Sequence, residues 1–280
     1  MKSIIVTTDF SETASNAALY AADIGVALGA ESIILYHSYH QAPTAIEIPI
    51  PEINYSIAHK RSLFELEFIK EYIHKRIGDK LTIKLIADEH PLIYSVDKLS
   101  KEWQASLVVA GATGKSSIEK FIVGSNTASL ASSSLLPLLI VPNNAKFKPI
   151  SKVVFACDLR KVDLSTPVDT LQFYCDKLHA KLLILNVEMK GKHFDPDTIP
   201  EQYKLHHLLD QLNPEYHYTE ENEEIVKGII HFAEEKDAGL VITVPRHHGF
   251  FESIFHSSVT NKLVNRTKIP LLVLRQKRVD

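Results

Sequence analysis

Leu107-Val108-Val109-Ala110-Gly111-Ala112-Thr113-Gly114, then after nine residues Gly124-Ser125-Asn126-Thr127, and finally Pro137-Leu138-Leu139-Ile140-Val141, form the stretch on which the fold turns. Its apolar ends return as Leu240-Val241-Ile242-Thr243 and Pro270-Leu271-Leu272-Val273-Leu274, both at an offset of 133, and Ser125 and Thr127 fall on Ser258 and Thr260 at that same offset. Two apolar runs and the segment between them that match without a gap mark a repeated unit. Nearer the start of each unit, Ile4-Ile5-Val6-Thr7-Thr8-Asp9 matches Val153-Val154-Phe155-Ala156-Cys157-Asp158 at an offset of 149, and Ile33-Ile34-Leu35 matches Leu183-Ile184-Leu185 at 150. The first unit therefore carries about 17 extra residues in its middle. Pro142-Asn143-Asn144 and Pro149 interrupt the apolar pattern, so the expected division is a domain over 1–142, a linker over 143–150 and a second domain over 151–280.

Within the first unit, strands are expected over 4–8, 33–37, 81–87, 107–110 and 138–141, alternating with helices over 14–28, 62–77, 92–103 and 125–133. Ala18, Ala21, Ala22 and Gly25 give the first helix a close-packing face; Ser11 or Thr13 can cap it and Gly29 can end it. Short, continuously apolar strands separated by helices imply a parallel sheet covered on both faces, with ligands beyond the carboxyl ends of the strands.

Composition narrows the function classes. The chain has 280 residues, 45% hydrophobic, which excludes disorder and suits two domains with their own cores. With 31 Lys and Arg against 34 Asp and Glu there is no cationic field to gather nucleic acid or an anionic membrane. The apolar run Ile4-Ile5-Val6 is too short for a secretory signal, no run reaches the length of a membrane helix, and the two Cys suit a reducing compartment. The expectation is a cytoplasmic protein.

Chemistry concentrates in the glycine loop. Glycines bring backbone N–H groups close to a ligand, and a helix starting at Ser125 supplies oriented donors for phosphate, joined by the Ser125 and Thr127 hydroxyls. Gly111 and Gly114 serve equally well in a tight strand-to-loop turn, with Ser125 a plain cap. Gly114-Lys115-Ser116 has the ending of a Walker A loop, but Val109 stands where its first Gly is required. Asp9, at a strand end, is placed either to accept from ribose hydroxyls or to cap the next helix.

Gly111-x-x-Gly114, nine residues, then Gly124-Ser125, with Asp9 after the first strand, resembles the universal stress protein family, and the repeat makes the chain similar to its tandem two-domain form. The resemblance implies an α/β fold of two repeated open five-stranded parallel sheets, strand order 3-2-1-4-5, with helices on both faces, packed as an intrachain pseudo-dimer through the last strands. It also implies ATP or a related adenine nucleotide, with or without Mg, in the first domain. Carried over by position, Asp9 meets the adenosine part, His37 lies beside adenine, and Gly111, Gly114, Gly124, Ser125 and Asn126 cradle phosphate, with Thr8 and Thr127 as further contacts. At the offset of 133, Gly111 becomes Val244, Gly114 becomes His247 and Gly124 becomes Ser257. Side chains then stand where backbone must approach phosphate, so the second domain is expected to be degenerate.

The implied role is a stress-response nucleotide binder with regulatory or signalling function, an unknown protein partner and a possible further homodimer. The alternatives are a nucleotide-independent scaffold with a relic loop, or a weak nucleotide hydrolase. No positioned nucleophile supports a catalytic set from Ser116, Ser117, His37 and Asp9. His247, His248 and His256 with Arg246 lack the spacing of a metal site, His206, His207 and His217 read as solvated, Cys157 and Cys175 read as buried, Trp103 reads as packing, and Tyr55, Tyr72 and Tyr94 are too scattered for a nucleic-acid platform.

Overall fold

The computed structural model describes residues 1–39, 55–112, 125–189, 198–221, 224–244 and 269–274. The first half runs β1 (Ser3–Thr7), α1 (Glu12–Leu28), β2 (Ser32–Ser38), α2 (Tyr55–Ile77), β3 (Thr82–Asp88), α3 (Leu92–Glu102), β4 (Ala105–Gly111), α4 (Ser125–Ser133) and β5 (Leu138–Val141). The second runs β6 (Lys152–Ala156), α5 (Val162–Ser165), α6 (Val168–Leu178), β7 (Lys181–Met189), α7 (Thr198–Leu209), β8 (Glu215–Glu221), α8 (Ile225–Glu235), β9 (Leu240–Thr243) and β10 (Leu271–Val273). All five residues of β1 are buried, as a strand covered on both faces requires. Ser11 caps α1, its Oγ accepting from the Ala14 N–H at 3.2 Å, and Gly29 ends it in the left-handed region at φ 68°.

Some expected boundaries shift, with local causes. Thr8 lies outside β1 because the chain turns at Phe10, whose φ is 63° and whose N–H donates to Thr8 Oγ1 at 3.0 Å. The cap of α1 is Ser11, while the Thr13 hydroxyl donates to Asn143 Oδ1 at 2.8 Å. The helix expected over 62–77 begins at Tyr55, about two turns earlier, because Ile57 in those turns faces solvent and lies outside the buried period of Leu66, Ile69, Ile73 and Ile77.

The strands join into one ten-stranded sheet in the order β3-β2-β1-β4-β5-β10-β9-β6-β7-β8, so each half has the order 3-2-1-4-5. Every neighbouring pair is parallel except β5 with β10, which are antiparallel in the register Ile140 to Leu271, Leu139 to Leu272 and Leu138 to Val273. The two inner edges thus satisfy each other's backbone groups, the expected solution for apolar strands that would otherwise expose open edges. On the face carrying α1, α2, α6 and α7, a single core runs across the seam from Leu35 and Leu66 to Leu171 and Leu205. The opposite face holds two separate clusters, the first of which also takes in Val273 of β10. Between β5 and β6 the chain has no strand or helix, yet it is pinned to α1, where Asn16 Nδ2 donates to the carbonyls of Pro142 and Ala145 at 3.2 and 3.1 Å.

Candidate functional site

Parallel pairing of β1 with β2 on one side and β4 on the other puts the ends of three strands together where the strand order reverses, and a cleft at that point is the usual ligand position in such sheets. Thr8, Asp9, His37, Gly111 and the start of α4 all lie at this carboxyl end. The turn after β1 is built by its own side chains. Thr8 Oγ1 takes the Phe10 N–H, and Asp9 Oδ1 accepts from the Ser11 N–H at 3.1 Å. Asp9 therefore braces Ser11, and it is Ser11 that caps α1.

His37, half-buried near the end of β2, lies 2.7 Å through Nδ1 from the Thr8 carbonyl, and its ring is tilted against Phe10 at a centroid distance of 4.3 Å. A carbonyl only accepts, so Nδ1 carries the hydrogen and, in the neutral ring, Nε2 carries the lone pair. The imidazole is thereby fixed in orientation between β1 and β2.

Gly111 closes β4 under the first turn of α1. A Cβ there would stand 2.8 Å from Thr13 Cγ2 and 3.1 Å from the Thr13 carbonyl carbon and oxygen. The absence of a side chain is thus demanded by helix packing. Its φ is not in the left-handed region, and the turn considered from sequence, which runs on to Gly114, lies outside the described residues. The Gly111 carbonyl accepts from Thr127 Oγ1 at 2.8 Å, a buried bond that ties the first turn of α4 to the end of β4. Asn126 is exposed on that turn. Gly114 and Gly124 lie outside the described residues, as does the Ser125 side chain, although Ser125 is the first residue of α4.

The second half repeats the strand-end clamp with other atoms. Leu159, at φ 53°, occupies the place of Phe10, and its N–H lies 3.5 Å from Cys157 Sγ as the Phe10 N–H meets Thr8 Oγ1. Strand register corrects the offset of β2 against β7 from 150 to 149, which puts Asn186 at the place of His37, and it donates through Nδ2 to the Cys157 carbonyl at 2.9 Å. What does not repeat is the helix start. Val244, packed against the core, replaces Gly111. The segment after Lys161, at φ 48°, makes only the four-residue α5 before extended Thr166 and Pro167 interrupt it, and α6 begins at Val168. Pro167 disfavours a helical Thr166. His247, Ser257, Ser258, Arg246, His248 and His256 lie outside the described residues.

Sequence reasoning missed a polar group beside this site. Asp88, at the end of β3, accepts from Tyr36 Oη at 2.7 Å, from Ser95 Oγ at 3.1 Å and from the His90 N–H at 3.1 Å. Burial raises the Tyr36 phenol far above its ordinary value and keeps it a donor. The residues are spread over β2, β3 and α3, so no local motif announces them.

Other readings fare variously. Cys157 and Cys175 are buried free thiols, and burial pushes Cys175 up to about 11. Trp103 packs against the core with Lys84 Nζ 3.4 Å from its ring centroid. Two histidines read as solvated have partners: His206 is exposed as expected, and His217 is half-buried. His206 stacks on Tyr216 at 3.7 Å and meets Tyr218 Oη through Nε2 at 2.9 Å, while His217 lies tilted 4.7 Å from Phe232. The alternation of β8, with tyrosines on one face and His217 on the other, makes both contacts.

The family model of the universal stress protein family matches residues 1–142 and 177–275. Among solved structures, a universal stress protein from Archaeoglobus fulgidus is similar with a TM-score of 0.69 at 19% identity, covering 98% of this chain and 96% of the other. A putative universal stress protein from Pseudomonas aeruginosa is similar with a TM-score of 0.57 at 12% identity, covering 98% and 93%. The cytoplasmic domain of a prokaryotic cation chloride cotransporter has a TM-score of 0.53 at 9% identity over 97% and 93%. These likenesses establish a shared architecture over nearly the whole chain. No curated protein matches the chain in sequence.

Proposed function

The chain belongs to the universal stress protein family, and on that premise we propose that its first domain, residues 1–142, binds ATP or a related adenine nucleotide. Residues 143–150 act as a linker and residues 151–280 as a degenerate copy. The observation that carries this reading is the convergence of Thr8, Asp9, His37 and the start of α4 at the point where strand order reverses, with α4 held there by the Thr127 bond to Gly111. A helix N-terminus so placed suits a phosphate, and a fixed imidazole at the neighbouring strand end suits a base. Gly114, Gly124, Ser125 and Asn126 complete the phosphate cradle in this reading.

Magnesium, where present, arrives on the nucleotide's phosphates, since among the described residues no three His, Cys, Asp or Glu gather to hold a metal. Binding serves regulation, with a protein partner that senses occupancy. Among the described residues no helix is long and apolar enough to cross a membrane, and the proposed compartment is the cytoplasm.

A second reading, a nucleotide-independent scaffold, draws on a specific observation: Gly111, Thr127 and Asp9 each have a structural task that needs no ligand. Denaturing the purified chain and identifying released small molecules by mass spectrometry separates the two. Adenine nucleotide in the supernatant supports the first; a ligand-free chain that also gives no heat on titration with ATP supports the scaffold.

A further inference from the structure

α2 is apolar on two opposite sides. Leu66, Ile69, Ile73 and Ile77 are buried in the core, while Ile57, Phe64, Phe68 and Tyr72 are 63%, 63%, 45% and 62% exposed. At 100° per residue the second set forms one stripe along the helix, diametrically opposite the first and about 22 Å long. Phe64 and Phe68 meet edge to face at 4.8 Å, and Lys75 Nζ lies 5.6 Å from the Tyr72 ring centroid. A helix that carries aromatic rings on its solvent side signals a surface meant to be covered.

The charges along the stripe select the occupant. Lys70 is paired with Glu67 and Arg76 with Asp23, each at 2.7 Å. Arg61 and Glu71, which flank the stripe five positions on either side of Leu66, have no ion-pair partner among the described residues. Opposite charges at equal distances from a midpoint are complementary to themselves after a half-turn. We propose that α2 is a self-association surface on which a second copy of this chain packs its own α2 antiparallel, about a two-fold axis level with Leu66.

Phe64 of one copy then meets Phe68 of the other, Arg61 reaches Glu71, and the aliphatic stem of Lys75 covers Ile57. A parallel pairing would set Arg61 against Arg61 and Glu71 against Glu71. An acidic or a basic partner would satisfy only one end. Pairing through β5 and β10 is closed to another chain, because those edges already occupy each other. The proposal is independent of nucleotide binding.

The test is sedimentation velocity on the full chain over a micromolar concentration series. A dimer is expected, with Phe64→Glu/Phe68→Glu monomeric and unchanged in far-UV circular dichroism. Arg61→Glu and Glu71→Arg should each weaken association about tenfold, and the double exchange should return it to within about threefold of the parent. A monomeric parent overturns the proposal, as does a dimer indifferent to the Phe64→Glu/Phe68→Glu change. Failure of the double exchange to rescue overturns the self-complementary register, and with it the assignment of a second copy as occupant.

Discussion

Thr8 carries two bonds that fix the end of β1, and each has a counterpart in the second half. The clamp between the carbonyl after the first strand and the side chain ending the second is therefore a feature of the repeated unit, satisfied by imidazole in one copy and by carboxamide in the other. Removing it with His37→Ala should cost about 1 kcal/mol, the usual net worth of such a bond. His37→Asn, which copies Asn186, should restore most of that, and urea unfolding of the three proteins measures it; equal midpoints for the Ala and Asn variants would show that the bond is immaterial. Gly111 poses a sharper contrast. Gly111→Val drives a side chain into Thr13 and should destabilise the fold by roughly 1–3 kcal/mol, whereas Gly114→Val and Gly124→Val should leave the fold intact and abolish nucleotide binding. Thermal melts beside ATP titrations separate the two outcomes, and a Gly124→Val protein that binds normally would remove that residue from the phosphate cradle.

These residue roles were only partly legible in the sequence. Asp9 after a strand and before a helix offers capping and ribose binding alike; in the structure the cap of α1 is Ser11, and Asp9 accepts from the Ser11 N–H at 3.1 Å. Gly111 reads as a loop glycine because its neighbour Thr13 is 98 positions away in the chain. The Asp88 group stayed invisible for the same reason, being assembled from three elements.

At the scale of elements, the strands were readable because a buried parallel strand is written as a continuous apolar run, and the start at Ser11 and stop at Gly29 of α1 because caps need particular residues. The first turns of α2 and the break between α5 and α6 were not, since Ile57 in the former faces solvent and lies outside the buried period of Leu66, Ile69, Ile73 and Ile77, and the latter turns on the local geometry of Lys161, Thr166 and Pro167. The β5 to β10 seam was accessible by argument: an apolar edge strand duplicated within one chain has its complement at hand. Ile140→Pro removes a backbone donor from a strand paired on both sides, a position proline is almost never found in, and should destabilise the sheet there. Hydrogen exchange should show protection lost together in β5 and β10 while β1 and β2 retain theirs. Unaltered protection at β10 would mean that the seam contributes little.

For the whole molecule, duplication has produced one continuous sheet whose two halves share a core on one face, while the other face holds two separate clusters. The halves have diverged at the strand end where a ligand would sit. The first keeps Gly111 and a continuous α1; the second has Val244, a broken helix start and Asn186 in place of His37. Such a molecule should bind one nucleotide per chain, with the second half lending architecture to the first. Isothermal titration of ATP into the full-length chain tests this most directly. The account predicts a stoichiometry of one that is abolished by Gly124→Val and unaffected by Val244→Ala; two equivalent sites, or no binding by a chain shown to be folded and ligand-free, would contradict it.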